Sequence, residues 1–572
     1  MNSSDEPYED ISRLAIGMIV KDEQDRLEAT LKSVQPLTDL IYVLDTGSTD
    51  QTVKLAECYG AKIATTTFNG NFSAVRNELI RIIEADGQAD WLLWINAGER
   101  FDEETAEEFR EFWAESQESG AAYMMILHRS GGPTEAKHDL DEQTIDLRLM
   151  PLRKGLQFTG ILNESLIPYV STLLLRMSAA PGRILCPSKA VEAERWRRRA
   201  LRDLHILADL ERQETPITDD LLLRRAETLS ILGEHIIARH DYLKLIEETR
   251  HTNLRLGALY GLWATFTPSP IEPNDMTKAL LVGVDHFPVD FQLLTFMGAH
   301  MQKIGRLDLA VKTFETALRH GQTSLDVWHR IHIREQAVLN LGLVHRLQGN
   351  GREAVRVMES NLDLIADQAS FGRHLLDLYI VEQEESKARE LVARFWGGVE
   401  LDRIREVLTG ACRGAAGAWN AEAIPLESAY LGGCRDVLCL RWYAMTLLAL
   451  ERLPEAVRIL EEWLALDPTN NEAGAFHFAA SQPERFHEIM EQIHRTQMKA
   501  LGVCLLSDEE EADRPDHSDA VREMIVASGI VPEKIDVPAS IGVQLKSSGF
   551  DAGTFELEPI GMCGELVFRP NH

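Results

Sequence analysis

The stretch Leu40-Ile-Tyr-Val-Leu-Asp-Thr-Gly-Ser-Thr-Asp50 constrains the fold more than any other part of the chain. Its apolar run reads as a buried strand, which the acidic, glycine-containing turn breaks, offering Ser48, Thr49 or Asp50 as a helix cap. Parallel α/β sheets build their sites at the carboxyl ends of strands that end this way. Two readings of Asp45 stay open: it faces a ligand crevice, or it closes a capping turn that holds no ligand.

The flanks repeat the pattern. Leu14-Ala-Ile-Gly-Met-Ile-Val20 is another apolar run, followed by Lys21-Asp-Glu23 and by helically spaced Leu27, Leu31 and Val34. A helix from Asp50 to about Tyr59 leads to a strand at Ala61-Lys-Ile-Ala-Thr65. Phe68, Phe72, Arg76 and Asn77 then open a helix through Leu79, Ile82 and Ile83, before a strand at Trp91-Leu-Leu-Trp-Ile95. Such alternation predicts a mostly parallel sheet with right-handed crossovers.

Met18-Ile-Val-Lys-Asp-Glu23, Leu44-Asp-Thr-Gly-Ser-Thr-Asp50, Phe68 with Phe72-Ser-Ala-Val-Arg-Asn77, and Asp90-Trp-Leu-Leu-Trp-Ile95 are co-linear. Together they resemble family 2 glycosyltransferases over about residues 14–165, in particular bacterial members with helical repeats attached. The resemblance implies an α/β nucleotide-sugar-binding domain of the GT-A type. It also implies that Glu23, Asp45 and Asp50 hold the base and ribose of a uridine or guanosine diphosphate sugar, with Arg76, Asn77 and Asn96 lining the same pocket. Carboxylates accept hydrogen bonds from ribose hydroxyls and base N–H groups, and an arginine clamps phosphate oxygens. For Arg76 an ion pair anchoring its helix is the competing reading.

The family usually places two aspartates separated by one residue, then a glutamate, after the fourth strand, and a histidine-glutamate pair downstream. This chain has Asn96-Ala-Gly-Glu99 and Phe158-Thr-Gly-Ile-Leu-Asn-Glu-Ser-Leu166, so Asn96, Gly98 and Asn163 replace the expected metal ligands. Hard cations prefer charged oxygen ligands and imidazole is lost as well, so neither a metal nor another cofactor is expected. Glu164 and Glu99 are the carboxylates left to act as general base, with salt bridges or helix caps as the alternative. Arg100, Arg148, Arg153 and Lys154 are the cations near these motifs that could stabilise a leaving diphosphate. Asp102, Glu103, Glu104, Glu107, Glu108 and Glu111 read as a solvated acidic helix start.

A net charge of −31 excludes nucleic acid and anionic membrane surfaces as general partners, unless a local basic patch overrides it. No apolar stretch approaches the ~20 residues of a membrane helix and the start is polar, so a cytoplasmic protein without membrane insertion is expected. The 7 cysteines, without a Cys-x-x-Cys pair, fit neither a disulfide framework nor a zinc site.

From about Glu192 amphipathic helices take over. Arg195-Trp-Arg-Arg-Arg199 with Arg202 forms a basic stripe, read either as a solvated face packed on the acidic domain or as a phosphate or acceptor contact. Gly298, Gly305, Ala310, Phe314 and Ala317 lie at tetratricopeptide-like offsets, as do Gly342, Gly349 and Ala354, and Trp442, Ala444, Leu450, Ala456, Ile459 and Leu460. The expected organisation is a glycosyltransferase-like domain at 1–190, all-α tetratricopeptide-like repeats at 191–500, and a small α+β segment at 514–572 after the acidic Asp508–Asp513. Two functions compete. One is an inverting glycosyltransferase acting on a protein or peptide brought by the repeats; the other is a catalytically inactive, glycosyltransferase-derived nucleotide-binding scaffold.

Overall fold

The structure, a computed structural model, describes residues 13–501 apart from 116–119, 131–140, 190, 266–272, 366–367, 396–400, 416–418 and 469. They form two compact units, the first drawn from Met1–Ile271 and Thr323–His332, the second from Glu272–Gln322 and Ile333–Glu509. The expected C-terminal α+β segment lies outside the described residues.

The first unit begins β1 Leu14–Val20, α1 Leu27–Val34, β2 Leu40–Asp45, α2 Thr52–Cys58, β3 Lys62–Thr65, α3 Phe72–Asp86 and β4 Trp91–Trp94. It continues β5 Arg100–Phe101, α4 Glu103–Glu115, β6 Ala121–Arg129, β7 Glu142–Pro151, α5 Ile167–Thr172 and β8 Arg176–Cys186. Helices α6 Ala193–Arg212, α7 Asp219–Ile231, α8 His235–Glu248 and α9 Thr252–Ala264 follow, and β9 His329–Arg330 returns to the sheet. The sheet order is β3-β2-β1-β4-β7-β6-β8-β5, with β9 on β7.

The stretch β3-β2-β1-β4 is parallel, as the alternation requires. Beyond it the expectation of a mostly parallel sheet fails: β7 runs antiparallel to both β4 and β6, and β8 parallel to β6. β6 and β7 pair as an antiparallel couple, and β7 thereby runs against β4. The first strands are buried on both faces. Ile16 and Met18 pack with Leu27, Leu31 and Val34 of α1 on one side, while Ala15, Tyr42 and Leu92 meet Val75, Leu79 and Ile83 of α3 on the other. Double burial makes these strands read as continuous apolar runs instead of alternating ones.

Asp102 departs from the solvated acidic series. It is buried, caps the start of α4 and accepts a hydrogen bond from Arg183 Nε at 2.6 Å.

Among its described residues the second unit is helical: α10 Pro273–His286, α11 Phe291–Lys303, α12 Leu307–His320, α13 Ile333–Leu347, α14 Gly351–Asn361, α15 Gln368–Val381 and α16 Glu385–Phe395. α17 Leu401–Ala415, α18 Trp419–Leu431, α19 Val437–Ala449, α20 Leu453–Leu466, α21 Asn471–Ala480 and α22 Phe486–Leu501 complete it. The recurring small residues now have a physical role. A Cβ on Gly298 would stand 2.7 Å from the Phe314 ring, and Ala310, Ala317, Ala354 and Ala456 are fully buried between paired helices. Each hairpin also turns through a residue of positive φ five positions before its buried alanine: Gly305 before Ala310, Gly349 before Ala354, Glu451 before Ala456. Gln383 and Ala388 keep the same relation in the α15–α16 hairpin, where no glycine marks the turn.

Candidate functional site at the carboxyl edge of the sheet

The loops after β1 and β2 are zipped together. Asp22 donates its N–H to Ser48 Oγ at 2.9 Å, Thr49 N–H donates to Asp22 Oδ1 at 2.7 Å, and Glu23 N–H donates to Thr52 Oγ1 at 2.7 Å. Asp45 is buried and accepts the N–H groups of Gly47 and Ser48 at 3.1 Å. Gly47 takes φ +101, a conformation that bends the chain back over that carboxylate. Asp50 accepts the N–H of Thr52 at 2.9 Å and of Gln24 at 3.3 Å. Burial works against its charge, but these bonds and the Thr52 hydroxyl hold it below the usual carboxylate range. The carboxylates of Asp45 and Asp50 thus both build the turn and, with further lone pairs, retain accepting capacity.

Arg76 and Asn77, on α3, face the Phe158–Leu166 loop. Arg76 pairs with Glu164 through Nε at 2.8 Å and through its terminal nitrogen, with the guanidinium 4.3 Å from the Trp94 ring centre and 4.9 Å from that of Phe158. Asn77 makes reciprocal bonds to the Phe158 backbone, 2.9 Å to its carbonyl and 2.7 Å from its N–H. Gly160 must be glycine: at φ +97 a Cβ would lie 2.6 Å from the Asn163 carbonyl oxygen. Asn163 Nδ2 donates to the Asp220 carbonyl at 2.9 Å, which ties this loop to the start of α7.

Glu99 and Arg148 form a buried pair, Nη1 to Oε2 at 2.7 Å and Nη2 to Oε1 at 3.1 Å, and Arg148 also bonds Asp146 and the Trp94 carbonyl. Asn96 adds its N–H to Glu99 Oε2 at 2.8 Å and its amide to Oε1 at 2.9 Å. Burial opposes ionisation, yet Arg148 and Asn96 together hold Glu99 below the usual range. A carboxylate so stabilised is a weak base. Glu99 thus braces the sheet edge in this structure, with Arg148 paired to it.

The residues expected at the site fall into two groups. Glu23, Asp45 and Asp50 gather at the ends of β1 and β2, while Arg76, Asn77, Glu164, Asn96 and Glu99 gather around Trp94, whose Nε1 donates to Asn96 Oδ1 at 3.1 Å. Helix α6 spans them. Arg195 donates to Glu23 at 2.8 Å, Arg202 lies over the Phe72 ring at 4.7 Å, and Ile206 packs at Gly70. Glu23 is moreover held by Arg26, at 2.5 Å and 2.9 Å, and Arg26 reaches Glu192 at 2.8 Å. Nothing in the local pattern singled out Arg26, Asp203 or Arg224; Asp203 is buried between Arg202 and Arg224.

The residues do not fit the divalent metal of the resembled family. Asn96 is spent on Trp94 and Glu99, and Asn163 on Asp220. Gly98 has no side chain, and at φ +91 its Cβ would meet Arg26 Nη1 at 2.6 Å.

Comparison with known proteins agrees with the geometry. Residues 15–179 match the family described as "Glycosyl transferase family 2". A TPR repeat-containing protein of Synechococcus elongatus is 39% identical over 89 residues, covering 16% of this chain and 21% of its own. An uncharacterized glycosyltransferase of Rickettsia bellii is 30% identical over 122 residues, 21% of this chain and 40% of its own. The chain thus spans about a fifth and two fifths of these relatives. A tetratricopeptide repeat protein structure from Parabacteroides merdae aligns with 15% identity over 45% of this chain and 99% of its own, at a TM-score of 0.28. No helix among the described residues is long and apolar enough to cross a membrane. The chain joins a domain resembling the family 2 glycosyltransferases, over residues 15–179, to helical hairpins of the tetratricopeptide-like kind.

Proposed function

We propose that the protein is a glycosyltransferase that takes a uridine or guanosine diphosphate sugar at the carboxyl edge of β1, β2 and β4 and transfers the sugar with inversion. The observation that carries this reading is the convergence of the Asp45–Asp50 turn and the Phe158–Leu166 loop on one rim, bridged by α6. Asp45 and Asp50 are the acceptors for ribose and base hydrogens. Glu164 is the general base: it takes the acceptor hydroxyl proton as the oxygen bonds to the anomeric carbon, while the bond from that carbon to the β-phosphate oxygen breaks and the nucleoside diphosphate leaves. Arg76 pairs with Glu164 and orients it until an acceptor arrives. The helical hairpins are the surface for a protein or peptide acceptor.

A second reading draws on the same ion pair. With Glu164 engaged by Arg76 and Glu99 by Arg148, the domain would bind nucleotide without transfer and serve as a scaffold. Titration calorimetry with UDP- and GDP-sugars tests the pocket common to both. Asp45→Ala should weaken binding by roughly 1–3 kcal/mol, the scale of losing charge-assisted bonds. Unchanged affinity would remove Asp45 from the pocket. Release of nucleoside diphosphate that depends on Glu164 separates enzyme from scaffold.

A further inference from the structure

Helix α6 presents Arg195, Arg199, Arg202 and Ile206 on one stripe, spaced i, i+4, i+7 and i+11. The two ends of the stripe are accounted for: Arg195 is bonded to Glu23 and Asp25, and Arg202 is bonded to Asp203 and stacked on Phe72. Arg199, between them, is not. It is half-buried, lies 5.7 Å from the Trp196 ring centre, makes no hydrogen bond to a carboxylate among the described residues, and meets Glu23 Oε1 at 3.9 Å. Glu23 already serves Arg26 and Arg195, so its charge is shared among three guanidinium groups.

We infer that Arg199, backed by Arg26 and Arg202, binds the diphosphate of the nucleotide donor and supplies the positive charge that a divalent metal supplies in the resembled family. The inference rests on the donor reading proposed above. Arg26 physically fills the space that an acidic side chain at position 98 would need, so positive charge from the chain itself stands where a carboxylate would otherwise hold a cation. Arg199 is the guanidinium of the stripe with no carboxylate within hydrogen-bond distance among the described residues, so its N–H donors are the ones not engaged by an acid, beside Glu23 at the end of β1. Burial lowers its pKa to about 10, with Arg26 and Arg202 pushing the same way and Glu23 and Glu192 opposing them, so an anion placed there would offset mainly the cost of burying the charge. A planar guanidinium matches two phosphate oxygens at once, which a lysine cannot do. Arg199 lies outside the segment that matches the family, and its stripe reaches the site only because α6 folds back across the sheet edge.

The test is titration calorimetry on the full chain, in chelator, with UDP, GDP, uridine and guanosine as probes. Wild type should bind UDP or GDP, and Arg199→Ala should lose about 10-fold or more of that affinity. The loss should be confined to ligands carrying phosphate, with nucleoside affinity changing less than about 2-fold, and Arg199→Lys should recover part of it. Circular dichroism of each variant checks that α6 has folded. UDP and GDP affinities equal to wild type in folded Arg199→Ala overturn this assignment and leave the donor pocket standing. A wild-type protein that binds none of the four probes overturns the donor reading and this inference with it.

Discussion

Gly98 shows how a single position decides what the site can hold. Its φ of +91 is strained for any side chain, and Arg26 occupies the space a Cβ would enter. Gly98→Asp should therefore cost roughly 1–3 kcal/mol, read from urea midpoints. Combining it with Asn96→Asp and Asn163→His should not create Mn²⁺-dependent donor binding, because the backbone at 98 and the bond from Asn163 to Asp220 have been rebuilt around other partners. Appearance of Mn²⁺ dependence in the triple variant would contradict this. The Glu99–Arg148 pair is a second test at the same scale. Glu99→Gln leaves the buried Arg148 guanidinium with the half-exposed Asp146 as its carboxylate partner, with an expected loss of roughly 1–3 kcal/mol. Glu142 gives a pH signature: despite burial, Lys189, Arg129 and Arg330 hold its carboxyl at about 2, against an ordinary 4.5. A folded-state pKa below the unfolded one contributes stability that is complete above the unfolded value and is lost as pH falls through the folded one. Denaturant midpoints should decline from about pH 4.5 toward 2, and Glu142→Gln should make that decline shallower.

At the scale of elements, α6 belongs to the sheet. Trp196 and Trp328 flank the Arg129 guanidinium, at 5.2 Å and 3.8 Å, while Arg195 and Glu192 are ion-paired to Glu23, Asp25 and Arg26 on the other side. Among the helical hairpins, packing distance sets the sign of a glycine substitution. Gly298→Ala drives a methyl into Phe314 and should destabilise by roughly 1–3 kcal/mol. Gly474→Ala meets nothing within 4 Å in the middle of α21 and should stabilise by roughly 0.5–1 kcal/mol. Thermal unfolding of the two variants checks the contrast; equal shifts would mean that the α11–α12 interface yields as readily as solvent.

For the whole molecule, we propose that the unit built on the sheet runs through α9, since β8 ends at Cys186 but α6 to α9 belong to the same compact unit as the sheet. Limited proteolysis should yield a fragment that retains α6 to α9; a stable fragment ending near 190 would show instead that the sheet stands without them. A net charge of −31 repels polyanions at long range, while the α6 stripe concentrates arginine at one rim.

Much of this was legible in the order of residues, because the physics behind it is local. Apolar runs buried on both faces, turn residues such as Gly47, and small residues at fixed offsets specify the four parallel strands and the marked hairpins. The α15–α16 hairpin, turning through Gln383, was not marked, and β6, β7 and β8 escaped because their directions depend on pairing partners that periodicity does not name. Asp45, Asp50, Arg76 and Asn77 could be picked out as candidates, but not that turn and loop bonds already engage them. Only the tertiary structure decided that Arg26 lies against Gly98, that Glu99 is locked to Arg148, and that Arg199 stands half-buried above the sheet edge without a carboxylate of its own. Those pairings join residues far apart in the chain, and whether a charge is satisfied or left to bind a ligand depends on what burial removes and which opposite charges the fold brings within reach.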